Sequence, residues 1–307
     1  MSWISWKTRM SRSFSETDLL NKLFPLLGTH SDLIVPPGDD CAVFRSGNQN
    51  LAVTVDQVIE SKHYLAGTPA HLVGRKLMAR NVSDIAAMGG TPKFALMSSA
   101  SSDKGEEWLL EFHKGLIEEG NKFGVSLIGG DLASSRLDTV GSLTLIGEIG
   151  GSGVLRSGAG NGHSIFVSGS LGASFESEHH LNFTPRLAEG HFLKDYASAM
   201  IDITDGLLID LKRVCQASGL GAVLNLEKIP LRDHLGNTLQ KALTDGEDYE
   251  LLFAVKEEKS ESLKNDWPFS TKLTMIGSFS DLQTEKIISE SGEDLVEKYG
   301  EGFDHFK

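Results

Sequence analysis

Apolar and polar positions along the chain follow two spacings, one typical of helices and one typical of strands. From Thr68 to Gly90 apolar residues recur at steps of three and four, which predicts an amphipathic helix. The glycine pair that closes this run, followed by Pro92, ends the helix. The same spacing predicts a second helix over residues 106–122. Short apolar runs predict strands at 41–44, 51–55 (leading into Asp56), 94–99, 125–128 and 142–149.

The second half of the chain repeats this mixture of elements. The apolar spacing there predicts strands at 164–168, 222–226, 249–255 and 273–279, and helices within 172–196 and 207–217. The glycine-rich segment 150–153 separates the halves, since such segments mark hinges and loops. We therefore predict a loose extension at 1–13, an N-terminal domain at 14–149 and a C-terminal domain at 150–307.

Helices and strands mix in both halves without strict alternation. This order predicts an α+β fold of two mixed domains rather than one doubly wound sheet. A chain of 307 residues is also long for a single hydrophobic core. Helices packed on one face of a sheet leave the other face uncovered, and dimerisation would bury it.

The charge balance and composition argue against several classes of partner. The formal net charge of −13 argues against a nucleic-acid or anionic-membrane surface. No apolar run approaches the ~18 residues of a membrane helix, and the N-terminus has no apolar core long enough for a signal peptide. Cys41 and Cys215 lack metal-binding or CxxC spacing, so we expect free thiols in a reducing, cytoplasmic setting.

Five acidic clusters are the candidate chemistry. The sequence contains no GxxxxGK[ST], GxGxxG or HExxH motif. Each acidic cluster follows a predicted strand or lies beside a glycine or a small residue, and together they contain Asp39 with Asp40, Asp56, Asp84, Asp131, and Asp202 with Asp205. Oxygen ligands with few histidines suit magnesium, which takes one or two carboxylates and completes its shell with water and substrate phosphates. The pattern therefore predicts several magnesium ions around a polyphosphate.

Asp84 lies within the apolar run of the first amphipathic helix, where an unpaired carboxylate is costly to bury. It needs a partner, and two are open from the pattern. Arg80, four residues earlier, could form an ion pair along the helix face. A metal ion shared with the other aspartates is the alternative.

Three further residues have both a functional and an ordinary interpretation. Arg156 could form a bidentate contact with a nucleotide phosphate, although an arginine in a loop is more often a surface residue. His63 could touch a substrate or be incidental. Glu247 could present a carboxylate to a cationic substrate, or simply belong to a solvated turn before an apolar strand.

Seven segments in order carry a family resemblance. They are GDDCAV (38–43), TVDQVIESKHYL (54–65), NVSDIAAMGG (81–90), IGGD (128–131), LRSGA (155–159), IDITDGLLIDL (201–211) and DGEDYELLF (245–253). Together they resemble the thiamine-monophosphate kinase family, of the aminoimidazole ribonucleotide synthase and selenophosphate synthetase superfamily. The resemblance spans nearly the whole chain. It implies domains of the aminoimidazole ribonucleotide synthase-like type, with the N-terminal domains paired in a homodimer.

The resemblance also implies an activity and its residues. The expected reaction is direct in-line transfer of the ATP γ-phosphoryl group to thiamine monophosphate, giving thiamine diphosphate and ADP, with several Mg²⁺ ions. The implied metal ligands are Asp40, Thr54, Asp56, Asp84, Asp131, Asp202 and Asp205, of which Asp56, Asp84 and Asp131 organise the transfer. The implied ATP contacts are Gly130, Asp131, Arg156 and Thr204, and the implied acceptor contacts are His63 and Glu247.

The residue types suit this chemistry. A phosphate monoester has its second pKa near 6, so the acceptor is mostly dianionic at neutral pH and needs no general base. What the reaction needs is charge neutralisation and alignment, which clustered divalent ions supply. No dedicated acid or base residue is therefore expected.

Some positions depart from the family pattern. Val55 stands where a hydroxyl-bearing residue is usual, and Leu132 replaces a threonine after Asp131. The aromatic residue expected to stack on the substrate near the C-terminus has no clear match, because Gly300 occupies that position and Tyr299 lies beside it. These changes concern the fit of the acceptor more than phosphoryl transfer.

Other members of the superfamily and a non-catalytic protein are the alternatives. Selenophosphate synthetase would require a reactive cysteine near the N-terminus, and Cys41 follows the GDD segment instead. The hydrogenase-maturation relative would require a C-terminal cysteine, whereas this chain ends in Lys307. Aminoimidazole ribonucleotide synthase fits the GEDYELLF segment poorly. A non-catalytic nucleotide-binding protein should have lost some of the aspartates, since clustered carboxylates are costly without metal.

Overall fold

The computed structural model describes residues 15–304, so the predicted extension at 1–13 lies outside the described residues. The first half forms a six-stranded sheet with three helices. Its strands are β1 (Leu33–Val35), β2 (Ala42–Ser46), β3 (Gln49–Ile59), β4 (Thr91–Ser101), β5 (Ser126–Ser134) and β6 (Val140–Ile149), and its helices are α1 (Glu16–Leu23), α2 (Ala70–Ala87) and α3 (Glu106–Lys122). The strand order is β1-β2-β3-β6-β4-β5, with only the β4–β5 pair parallel.

The second half forms another six-stranded sheet. Its strands are β7 (Ser164–Ser168), β8 (Ala197–Asp202), β9 (Gly221–Leu224), β10 (Leu251–Val255), β11 (Leu273–Ser280) and β12 (Ile287–Ser289). Its helices are α4 (His179–Asn182), α5 (Leu187–Leu193), α6 (Leu207–Ser218), α7 (Leu239–Thr244), α8 (Glu257–Asp266) and α9 (Leu295–Tyr299). The order is β12-β9-β11-β7-β10-β8, and the predicted α+β class of two mixed domains is confirmed.

Strands β3 and β5 continue past aspartates at which the apolar runs end. The apolar runs place strand ends at Asp56 and before Asp131, but β3 and β5 continue past both residues. The reason is pairing with neighbouring strands, since Asp56 lies opposite Leu143 of β6 and Asp131 lies beside Ser98 of β4. Both aspartates are therefore strand residues rather than residues of a loop at a strand end.

Helix α2 is the central element of the first half. Its apolar side chains pack on the sheet and on α3, and the buried ones include Val73, Leu77, Met78, Val82 and Ile85. Its other side touches the second half, where Gly190 of α5 lies so close to the carbonyl of Ala86 that a Cβ would collide with it. Helix α2 therefore links both halves and carries Asp84 to their junction.

Helices α2 and α3 approach each other through two glycines. A Cβ on Gly74 would collide with the carbonyl of Phe112, and a Cβ on Gly115 would collide with the carbonyl of His71. Because backbone atoms are the obstacle, rotation of a side chain cannot relieve either collision. The close approach brings Leu77 of α2 and Leu116 of α3 into the same core.

We expect Gly115→Ala to lower the free energy of unfolding by about 3 kcal/mol or more, above the usual range for overpacking because α2 and α3 must separate. Gly124, which has open space around its Cβ position but a φ of 72°, is not a suitable control. Gly28→Ala is a suitable control, because nothing lies within 4 Å of its Cβ position and its φ is outside the left-handed region. Urea unfolding followed by circular dichroism measures the difference, and equal midpoints for the two variants would contradict the packing argument.

Several exposed apolar side chains lie on the face of the first sheet opposite α2 and α3. Val55, Phe94 and Leu96 are exposed there, whereas the residues next to them along β3 and β4 are more buried. Ile128 is exposed on β5. Alternation of this kind normally places polar residues on a solvated face. Within the described residues, no helix is long and apolar enough to span a bilayer.

Candidate active site

Three aspartates from different parts of the chain meet at the junction of the two halves. Asp40 precedes β2, Asp84 lies in the last turn of α2, and Asp202 ends β8. One carboxylate oxygen from each lies within 4.8 Å of the others. Asp40 and Asp202 are buried and Asp84 is half-buried. This geometry brings together three of the predicted metal ligands.

Two hydroxyl groups hold Asp84 and Asp202. The Thr54 hydroxyl donates to Oδ2 of Asp84, and the Ser83 hydroxyl donates to Oδ2 of Asp202 at 2.5 Å. Thr54, a predicted metal ligand, is thus within hydrogen-bonding distance of the cluster. Ser83 was not among the predicted site residues, although it lies beside Asp84 in the same motif.

Asp40 is held by Arg156. The guanidinium donates from Nη2 and Nε to Oδ1 of Asp40 at 2.5 and 3.2 Å, and the Arg156 amide donates to Asp39 Oδ2 at 3.0 Å. The second oxygen of Asp40, Oδ2, is buried without a hydrogen-bond partner. A carboxylate oxygen without a hydrogen-bond partner, next to two further carboxylates, provides oxygen ligands of the kind that bind magnesium.

The cluster is electrostatically costly without a cation. Burial, opposed by Arg156 and reinforced by Asp39, raises the pKa of Asp40 to about 6. Burial and the neighbouring Asp56, Asp202 and Asp40 raise the pKa of Asp84 well above its usual value. Burial and Asp40 likewise raise the pKa of Asp202. A bound divalent cation would supply the missing positive charge.

Stability in the absence of metal should therefore fall as pH rises. Between pH ~4 and ~6 the folded chain keeps a proton on Asp40 that the unfolded chain has released, so each pH unit across this range weakens folding by up to about 1.4 kcal/mol. Urea unfolding in EDTA at about pH 4 and about pH 7.5 measures the loss, and Mg²⁺ at the higher pH should reverse it. Asp202→Asn should show both a smaller loss and a smaller Mg²⁺ effect. An unchanged pH dependence in that variant would contradict the assignment.

Arg80 binds Asp56 rather than Asp84. Its Nη2 and Nε donate to the two oxygens of Asp56 at 3.0 and 3.2 Å, and its Nη1 donates to the carbonyl of Gln57 at 2.7 Å. The predicted alternative of an ion pair between Arg80 and Asp84 along the helix face is therefore wrong. Arg80 instead has a bidentate partner in Asp56 of β3. Asp56 stands next to the cluster, with its carboxylate bound to a guanidinium.

Asp205 and Thr204 lie in the turn between β8 and α6. The amides of both residues donate to Oδ2 of buried Asp210, at 2.9 and 3.0 Å. The carboxylate of Asp205 pairs with Arg213 at 2.7 Å. This turn places Thr204 and Asp205 at the edge of a large cavity, three residues or fewer from Asp202 of the cluster.

That cavity, of about 600 Å³, lies beside the aspartate cluster. Both predicted acceptor contacts, His63 and Glu247, line it, as does Tyr299. Glu247 is held by Lys76, whose ammonium is fully buried and also donates to the carbonyl of His63 at 2.6 Å. Burial, opposed by Glu247, lowers the pKa of Lys76 to about 8.

Lys76 was not predicted as a site residue. The signal available in the sequence was a lysine on the apolar, core-facing side of α2, where a charged residue needs a buried partner. That partner lies 171 residues away in a turn, so only the tertiary structure identifies it.

Asp131 and Gly130 lie apart from the cluster within the single chain. Asp131 is exposed on β5, the edge strand of the sheet, which two strands separate from β3. Neighbouring strands are about 4.8 Å apart, so the separation is roughly 14 Å. Gly130 has a packing role of its own, because a Cβ there would collide with the carbonyl of Met97. The roles predicted for these two residues stay predictions.

Comparison with known proteins identifies both halves of the chain. Residues 38–149 match the family model for the AIR synthase related protein, N-terminal domain, and residues 139–267 match that for its C-terminal domain. The chain is 33% identical over 298 residues to the thiamine-monophosphate kinase of Buchnera aphidicola subsp. Acyrthosiphon pisum, covering 88% of this chain and 91% of that protein. It is 31% identical to the thiamine-monophosphate kinase of Bacillus subtilis, covering 95% and 99%.

Solved structures give the same result. A structure described as AaThiL complexed with AMPPCP and TMP superposes with a TM-score of 0.83, at 28% identity, covering 95% of this chain and 97% of that one. A hydrogenase maturation protein, HypE, shares the fold at 17% identity and a TM-score of 0.65. Identity above 30% over nearly the full length of the curated relatives decides between these branches of the superfamily. The chain belongs to the thiamine-monophosphate kinase family and is a thiamine-phosphate kinase.

Proposed function

We propose that this chain transfers the γ-phosphoryl group of ATP to thiamine monophosphate, releasing ADP and thiamine diphosphate. The observation that carries the proposal is the Asp40–Asp84–Asp202 cluster beside a cavity lined by His63 and Glu247. The relatives named above and the structure described with AMPPCP and TMP support the same reaction.

The cluster would hold Mg²⁺ through Asp40, Asp84 and Asp202, and bound Mg²⁺ supplies charge neutralisation between two anionic phosphates. Asp56 and Asp205 are proposed as further ligands once Arg80 and Arg213 are displaced from them. Arg156 fixes Asp40 and, with Thr204, is proposed to contact ATP.

The acceptor side needs positioning rather than proton transfer. A dianionic phosphate attacks without a general base, so the residues of the cavity act by holding the acceptor in line with the γ-phosphate. Glu247, kept in place by Lys76, presents a carboxylate that suits a cationic ring. The cavity opens beside the turn that follows Asp202.

The direct test is ADP formation from MgATP with thiamine monophosphate, with thiamine and an aminoimidazole precursor as control acceptors, each with and without EDTA. We expect magnesium-dependent ADP release with the monophosphate alone, matched by thiamine diphosphate on a chromatogram. Release with a control acceptor instead, or ATP binding without turnover on any acceptor, would overturn the proposal.

His63→Ala should mainly weaken binding of the acceptor. The buried ring accepts a hydrogen bond from the Ile59 amide through Nδ1 at 3.0 Å and lines the cavity, away from the aspartate cluster. We expect KM for thiamine monophosphate to rise about tenfold, as the loss of one polar contact implies, with kcat within about threefold. His30→Ala, at an exposed histidine, is the control. A large loss of kcat at saturating acceptor would argue against this role.

We also propose that two chains pair through the exposed apolar face of the first sheet to form a homodimer. Phe94 and Leu96 lie centrally on this face and Val55 and Ile128 flank them. A second copy presents the same apolar surface, so a twofold contact would bury both faces at once. Asp131 lies on the exposed side of β5, at the edge of the surface that such a contact would cover.

A further inference from the structure

We propose that Phe175 is the aromatic platform on which the heteroaromatic ring of the acceptor stacks, and that it sets acceptor affinity in this chain. This inference rests on the proposed function and adds a specificity residue to it. The sequence left the stacking residue open, because Gly300 occupies the position where an aromatic side chain is expected and Tyr299 lies beside it.

Phe175 is an exposed aromatic side chain at the acceptor cavity. It is 53% exposed and lines the same cavity as His63 and Glu247. Its ring stacks on buried His180, with centroids 4.6 Å apart and planes at 21°. One face of the Phe175 ring is therefore covered by His180, and the exposed part of the ring is available to a ligand.

The segment that carries Phe175 is rigidly held. Buried Asp248 accepts hydrogen bonds from the Gly172 amide at 3.1 Å and from the Ser174 hydroxyl at 2.5 Å, directly before Phe175. His180 is fixed by contact of its Nδ1 with the Ser174 carbonyl at 3.1 Å, and burial lowers the pKa of its ring, so the support is a neutral imidazole at neutral pH. A platform held in this way binds a ring without first ordering a loop.

Carboxylates outnumber basic side chains in the lining of the cavity. The lining contains Glu176, Asp205, Asp245, Glu247 and Glu301 against Lys62 and Arg80. Four of these carboxylates already pair with a cation of the chain, namely Glu176, Asp205, Glu247 and Glu301. A cation over an aromatic face gains additional attraction from the ring quadrupole. The acceptor of the proposed reaction carries a permanently charged thiazolium and a flat aminopyrimidine, both suited to a phenylalanine face.

Tyr299 is the less suitable platform. The ammonium of Lys298 lies 5.1 Å from the centroid of the Tyr299 ring, so a cation of the chain already occupies one face. The Tyr299 carbonyl also accepts a hydrogen bond from Gln240 at 2.7 Å, which ties this end of α9 to α7. The ring of Phe175 instead stacks on His180, which is aromatic and neutral.

The test compares Phe175→Leu, Phe175→Tyr and, as the matched control, Tyr299→Leu in the full chain. Calorimetric titration with thiamine monophosphate gives Kd, and steady-state kinetics with MgATP give KM and kcat. We expect Phe175→Leu to raise Kd and KM for the acceptor about ten-fold, the range of a stacked or cation–π contact. Phe175→Tyr should stay within about threefold of the unchanged chain, because it keeps the aromatic face. KM for ATP and kcat should be unchanged in both Phe175 variants.

Three outcomes would overturn the inference. One is an unchanged acceptor Kd in Phe175→Leu. Another is an equal loss in Phe175→Leu and Phe175→Tyr, which would indicate packing rather than an aromatic surface. The third is a larger loss in Tyr299→Leu. If the unchanged chain neither binds nor phosphorylates thiamine monophosphate, the proposed function fails and this inference fails with it. If the unchanged chain turns over normally and Phe175→Leu does not alter acceptor affinity, only this inference is rejected.

Discussion

Asp84→Asn is expected to fold normally and to lower kcat by a factor of about 10³ or more, as expected when an electrostatic group at the reacting phosphates is removed. The side chain keeps its size and can still accept the hydrogen bond from Thr54, so the local structure is retained. The lost charge is one of the three that would hold magnesium in the proposed site, together with those of Asp40 and Asp202. Turnover of MgATP with thiamine monophosphate measures the effect.

Stability supplies a second and independent readout for this variant. Because Asp56, Asp202 and Asp40 all repel the Asp84 carboxylate, removing its charge should stabilise the chain in EDTA and reduce the stabilisation that Mg²⁺ adds. Asp281→Asn, at an exposed aspartate outside the cluster, is the matched control and should change neither quantity. Near-normal turnover in a folded Asp84→Asn protein, or an undiminished response to Mg²⁺, would remove Asp84 from the metal site.

The acidic groups of the site fall into two sets, those that pair with an arginine and those that have hydroxyl partners. Asp84 is chosen for substitution because it belongs to the second set. Asp40, Asp56 and Asp205 each pair with an arginine: Arg156, Arg80 and Arg213, respectively. Asp84 and Asp202 have hydroxyl partners, from Thr54 and Ser83, which donate a hydrogen bond but carry no charge. The need for an external cation is therefore greatest at these last two carboxylates.

Several helices and core strands followed from local patterns, whereas α7, α8 and α9 were not predicted. The spacing of apolar residues predicted α2 and α3 closely, and the apolar run 164–168 coincides with β7. The continuation of β3 past Asp56 was not predictable in this way. A polar residue ends an apolar run, but pairing with β6 keeps the backbone extended. Local pattern reports which face is buried, and it does not report where a neighbouring strand stops.

The aspartates of the cluster were recognisable because each acidic segment follows a predicted strand or lies beside a glycine or a small residue. What the sequence could not show was which residues neutralise them. Arg80 is four residues from Asp84 along α2 but binds Asp56, and Lys76 binds Glu247 across the junction of the two halves. Such pairs depend on how α2 packs against β3 and the second half, which is a property of the tertiary structure.

The proposed homodimer gives the second prediction with a large expected effect. Leu96→Asp places a charge in the middle of the exposed apolar face, where β4 lies between β6 and β5. Burying an unpaired carboxylate in an interface costs several kcal/mol, so the dissociation constant should rise at least about 100-fold. Sedimentation velocity over a range of concentrations measures it. The side chain already faces solvent in the single chain, with 41% exposure, so folding should persist.

Leu235→Asp is the matched control, because Leu235 is 97% exposed and lies in the second half of the chain, away from this face. It should leave both the dimer and the activity unchanged. In Leu96→Asp, activity per chain should fall as the protein dissociates, because Asp131, predicted to hold metal and ATP, lies about three strand spacings from β3 within one chain. A Leu96→Asp protein that stays dimeric would show that the chains pair elsewhere. A fully active monomer would instead exclude both the need for the dimer and a role for Asp131 that depends on it.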